Sequence, residues 1–82
     1  MSLTSIILFK KEEEGIEFYE WWWERGKRPS GIVIQYVPER KVYALMFIVR
    51  GSQVGEIREF KRVSEALDYL RVKHFIDARI HV

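Results

Sequence analysis

His74 and His81 are the only histidines in the chain, and cysteine is absent. A metal centre or an Asp–His couple would have to be built around these two imidazoles. Reading Phe75–Val82 as a strand gives His74 and His81 opposite parity, so they face opposite sides and cannot share a metal ion. Asp77 shares a face with His81, but four strand residues separate the two by ~13 Å. The adjacent carboxylates Glu12, Glu13 and Glu14 suit the positive end of a helix better than acid–base catalysis. The five glycines are scattered, so no phosphate-cradling loop is present. One Thr and five Ser supply the aliphatic hydroxyls, none beside a His. The lack of cysteine removes thiolate zinc sites and a disulfide framework. These residues predict a non-enzymatic binding protein with no cofactor and no metal. An active site assembled across a dimer interface is the weakest of three readings.

Binding chemistry is better represented. Residues 1–24 carry Lys10 and Lys11 against six Glu, a net charge of −4. Residues 25–62 carry nine Lys and Arg against three Glu, a net charge of +6. Residues 63–82 carry three charges of each sign. Arg25, Lys27, Arg28, Arg58, Lys61 and Arg62, mixed with Tyr43, Phe47 and Phe60, match phosphate neutralisation combined with base stacking. This set is the candidate nucleic-acid site. Glu39, Glu56 and Glu59 interrupt it, and a salt-bridged thermophile surface would look similar. Trp21, Trp22, Tyr36 and Leu45 are the candidate protein interface, since Trp is enriched where proteins meet.

The elements that must position these groups follow from periodicity and punctuation. Ser2–Lys10, with Ile6, Ile7, Leu8 and Phe9, reads as a strand. Glu residues at the start, basic residues at the end and Gly26 as a stop predict a helix from about Glu13 to Arg25. Its apolar residues would span about 220° of the helical wheel, against the ~100° a surface helix needs. In that helical phase Ile16, Tyr19 and Trp23 face the core. Ile32–Val37 and Val42–Arg50 read as strands joined by a turn at Pro38–Lys41. Gly51-Ser52 reads as a two-residue hairpin loop leading into a strand from Gln53 to Lys61. That loop would pair Val49 with Val54, Phe47 with Glu56, Leu45 with Arg58 and Tyr43 with Phe60. Ser64 caps a second helix, Glu65–Lys73, with no capping box. Phe75–Val82 alternates as a strand with one wet face.

The fold class is therefore α+β: a single small domain over residues 1–82, order β-α-β-β-β-α-β, with two helices packed on one face of a largely antiparallel sheet. Both faces of the central strands are mostly apolar. Two helices of ~10–12 Å cover roughly one face of a sheet some 24 Å wide. The second face then needs a partner, and a homodimer is the simplest one. Ala44 and Gly55 on the Met46 side predict that the helices lie there. Tyr43, Phe47, Arg58 and Phe60 would then be left for the partner.

Phe47-Ile48-Val49-Arg50-Gly51-Ser52-Gln53-Val54-Gly55-Glu56, followed by Ala66, has a rhythm similar to that of the double-stranded-RNA-binding domain. The resemblance covers Val33–Leu70 and implies a layout of helix, three antiparallel strands and helix. The family's lysine pair at its second helix is replaced here near Val63 and Ser64, and its glycine-rich loop is missing. No family residue is carried over.

Composition bounds the rest. The chain has 82 residues and a mass of 9.9 kDa, with 48% hydrophobic and 32% charged residues, which excludes a disordered chain. Asn is absent, Gln occurs only at 35 and 53, and Glu, Lys and Arg total 24, a usage seen in hyperthermophiles. The longest apolar run, Val42–Val49, is far short of the ~20 residues that cross a membrane. The Ile6–Phe9 run lacks the flanks of a signal peptide. A cytoplasmic protein is expected, with a second copy, a nucleic acid or another protein as partner and no membrane. The first reading is a nucleic-acid-associated protein that uses the basic, aromatic sheet face and the Arg25–Arg28 loop, and the alternative is a homodimeric or adaptor module that uses the excess apolar sheet and the Trp-rich helix surface.

Overall fold

A computed structural model describes residues 2–82. Six strands form one sheet: β1 (Thr4–Glu13), β2 (Ile16–Glu24), β3 (Ser30–Val37), β4 (Val42–Val49), β5 (Ser52–Phe60) and β6 (Ile76–His81). One helix, α1 (Val63–His74), connects β5 to β6. The sheet order is β5-β4-β3-β2-β1-β6. Its first five strands form an antiparallel meander, and β6 pairs in parallel with β1. The parallel pairing requires a long crossover, and α1 supplies it.

The expected two-helix architecture is not observed. The segment expected to be a helix over Glu13–Arg25 is the central strand β2, paired with β1 on one side and β3 on the other. Glu14 and Gly15, with φ of 52° and 80°, make the tight turn between β1 and β2. Positive φ at both central residues is the signature of the hairpin turn whose twist matches the strands. Phe, Tyr and Trp fit a pleated surface well. Period two also divides the apolar residues that no helical arc could hold. Tyr19 and Trp21 join the core under α1, whereas Phe18, Glu20 and Trp22 face the other way. Trp23 is not a core residue. It is the extra residue of a bulge between Trp22 and Glu24, 48% exposed, with its ring 5.2 Å from that of Trp21. The helix–three-strand–helix layout implied by the RNA-binding-domain resemblance is also missing, because a strand precedes β3.

Two local expectations shift. The β4–β5 loop is Arg50-Gly51, both at positive φ, with Val49 opposite Ser52 and Phe47 opposite Val54. Leu45–Arg58 and Tyr43–Phe60 pair as expected, because Gly55, Glu56 and Ile57 bulge out opposite Met46 and absorb the offset. The helix starts one residue before Ser64, and Arg62 is its N-cap. The Glu65 carboxylate accepts the Arg62 backbone N–H at 3.2 Å, a capping-box bond that a start at Glu65 does not allow. Phe75 ends the helix in the left-handed conformation and donates its N–H to the Arg71 carbonyl. His74 is thus the last helical residue, and the strand-parity argument that separated it from His81 does not apply to it.

The core lies between α1 and one sheet face. Leu8, Ile32, Ile34, Leu45 and Leu70 are each less than 2% exposed. Ile6, Tyr19, Ala66 and Ala78 complete the buried cluster, with Tyr43, Phe47 and Phe60 packed against it. The helix therefore covers the Leu45 side and not the Met46 side. Among the described residues no helix is long and apolar enough to cross a membrane.

Candidate interaction face

The other face of the sheet carries the candidate site. Strand alternation and register place its side chains in rows across the strands. One row runs from Met46 through Val33 and Glu20 to Phe9. The next runs from Gln53 through Ile48 and Gly31 to Trp22. On the other side of the first, Glu59, Ala44, Gln35, Phe18 and Lys11 line up. The middle is apolar and partly self-shielded: Val33, Val42 and Ala44 are buried, whereas Ile16, Phe18, Trp22, Met46 and Ile48 are half-buried. Towards the β6 edge, Ile7 is 49% and Phe9 43% exposed.

A groove of about 610 Å³ runs along this face over β2, β3 and β4, with Phe18, Trp22, Val33, Met46 and Ile48 in its walls. Glu13 and Glu14 form its rim at the β1–β2 turn. Gly31 lets the Trp22 indole lie directly on β3, since a Cβ there would overlap both that ring and the Trp21 carbonyl oxygen. The Trp22 Nε1–H donates to the Glu20 carboxylate at 2.7 Å, and Lys11 Nζ lies 3.1 Å from the same group. The one carboxylate in the middle of the face is thereby neutralised and leaves no bare charge there. Hydrophobic walls with a few oriented polar groups are the usual make-up of a recognition surface.

The residues singled out from the sequence fall into separate groups. Arg25, Lys27 and Arg28 are exposed in the turn between β2 and β3. That turn is tied to the β4–β5 turn by the Gly51 N–H to the Pro29 carbonyl, 2.7 Å, and the Arg50 N–H to Ser30 Oγ, 2.9 Å. Lys61 and Arg62 lie beyond the opposite end of β5, roughly 26 Å away by the length of the eight-residue β4 paired with it. Tyr43, Phe47 and Phe60 belong to the helix side. Phe60 packs on Tyr69 with ring centres 5.4 Å apart, and Phe47 packs on His74 at 4.8 Å. The Arg58 guanidinium lies 5.3 Å from the Tyr69 ring centre and 3.7 Å from Glu56. Of the candidate interface residues, Leu45 is core at 1% exposure, Trp21 and Tyr36 are on the helix side, and Trp22 alone faces the groove. Phe18, absent from both candidate sets, is exposed to the groove by the same alternation that would have identified β2.

A polar cluster lies on the helix side. Tyr43 donates its hydroxyl hydrogen to Glu17 at 2.6 Å, and Tyr19 donates to the other Glu17 oxygen at 3.3 Å. Lys10 Nζ is 3.5 Å from that second oxygen. The bond from Tyr43 holds the Glu17 carboxyl below its ordinary pKa, and the same bond pushes the Tyr43 phenol up to about 12. Burial is the first cause of the upward shift at Tyr19. The Tyr43 bond secures β2 against β4 across β3. Among the described residues no three His, Asp or Glu side chains converge to hold a metal ion. Comparison with family models, curated proteins and solved structures finds no match to this chain.

Proposed function

We propose that the chain is a non-enzymatic protein-interaction module that works as a homodimer through the open sheet face. The observation that carries this reading is a continuous apolar surface across β1–β4 that, among the described residues, no helix covers. Four strands at ~4.8 Å, each some 26 Å long, give roughly 500 Å² of flat area before side-chain relief is added. A standard interface takes ~800 Å² from each partner, so relief and the flanking turns bring the face into range. The test is molar mass by light scattering at micromolar concentration, for the wild type and two variants. Ile48→Lys, in the groove wall on β4, is expected to return a dimer to monomer. Val72→Lys, on the 69%-exposed outer side of α1, is expected to leave the dimer intact. A wild type that is monomeric throughout rejects the reading.

One observation favours a second reading, single-stranded nucleic acid bound at the turn end of the sheet. Exposed Trp23 adjoins Arg25, Lys27 and Arg28 in sequence, and Arg50 sits in the turn bonded to theirs. A stacking ring beside four cations is a suitable pairing for bases and phosphates. On this reading, Lys27→Ala/Arg28→Ala weakens binding to short single strands. It also flattens the log–log salt slope by about two, one unit for each lost phosphate contact. Equal binding by the variant and the wild type excludes it.

A further inference from the structure

The open face leaves two ways to seat a second copy, and charge separates them. A closed dimer needs a two-fold axis, and face-to-face contact puts that axis in the plane between the sheets. Sheets packed in the aligned manner then have the axis running nearly along the strands or nearly across them. The basic turn, Arg25–Arg28, joins β2 to β3, the two middle strands of the order. An axis along the strands keeps like ends together and lays this central basic turn on its own mate. An axis across the strands exchanges the ends and keeps each strand over its counterpart. The basic turn of one copy then reaches the far end of β2 and β3, where Glu13 ends β1 and Glu14 begins the β1–β2 turn, beside a charge-balanced β3–β4 turn whose Glu39 and Lys41 flank an Arg40 bonded to Glu59. Glu13 and Glu14 rim the open end of the groove there.

Resting on the dimer reading above, we infer that the occupant of the acid-rimmed groove is a second copy set with its ends exchanged, its Arg25–Arg28 turn against Glu13 and Glu14. Two symmetry-related contacts of this kind form in each dimer. The arrangement also places Glu20 near the axis, where its pairing with Lys11 and Trp22 spares the dimer a facing pair of bare carboxylates.

The test measures dimer dissociation constants for three charge variants by sedimentation, at low and high salt. Glu13→Lys/Glu14→Lys makes both ends basic, and Lys27→Glu/Arg28→Glu makes both acidic. Each is expected to weaken the dimer by about tenfold or more at low salt, because attraction becomes repulsion at both contacts. High salt is expected to erase most of the difference. The combined four-residue variant restores opposite charges at the exchanged ends and is expected to return to near wild-type affinity. A dimer that none of these variants alters overturns the ends-exchanged arrangement while leaving the open-face dimer standing. A combined variant weaker than either double variant also overturns it. If the wild type is a monomer, the dimer reading itself has failed.

Discussion

Tyr43 and Glu17 show how single groups fasten the central strands. They sit on β4 and β2, joined by a 2.6 Å hydrogen bond across β3. Because folding lowers the Glu17 pKa below 4.5, its contribution is fully present above that value and is lost as pH falls through the lower, folded pKa. Folding raises the Tyr43 pKa from 10 to about 12, so that contribution is present below pH 10 and disappears as pH rises towards 12. Tyr43→Phe removes the second and the largest part of the first, leaving Glu17 its bond from Tyr19 and its Lys10 neighbour. Its loss of stability relative to wild type, from urea unfolding, is expected to be largest near neutral pH. It should shrink well below pH 4.5 and again above pH 10. A pH-independent difference would mean that the ring packing of Tyr43 matters and the bond does not.

The hairpin of β1 and β2 is the element on which sequence and structure diverge. The run of acids and the closing Arg25-Gly26-Lys27-Arg28 imitate the charge pattern of a helix, and that pattern outweighed two contrary signs. One was Glu14-Gly15, a two-residue turn. The other was an apolar arc too wide for any helix, which period two splits into two faces at once. The Pro38 turn, β3 and the C-terminal helix were legible, because each rests on local residues, whereas Tyr43 meets Phe60 as expected only because the Gly55–Ile57 bulge offsets a differently placed loop. Which side α1 covers was not, since Ala44 and Gly55 suggested close approach where the protein instead has an open face and an outward bulge. The candidate site inherited that error: Phe47 and Phe60 are helix-packed, and the groove lies behind them. A substitution at Glu14 tests the element directly. Asn-Gly is the favoured pair for this turn, so Glu14→Asn is expected to stabilise the fold by roughly 0.5 kcal/mol in thermal or urea unfolding.

At the scale of the whole molecule, one helix is set against a six-stranded sheet, and the mismatch in area has a functional consequence. The α1 side closes into a core, while the other side presents Ile7, Phe18, Trp22, Met46 and Ile48 between the Glu13 and Glu14 rim and the basic turn. Solvent access to that face is the most direct measure of whether it is an interface. Methyl NMR spectra at micromolar concentration, with a soluble paramagnetic chelate added, read this access residue by residue. The homodimer account expects the methyl groups of Ile7 and Ile48 to be shielded, while those of Val72 on the outer side of α1 broaden strongly. Equal broadening of Ile7, Ile48 and Val72 at every concentration would contradict it.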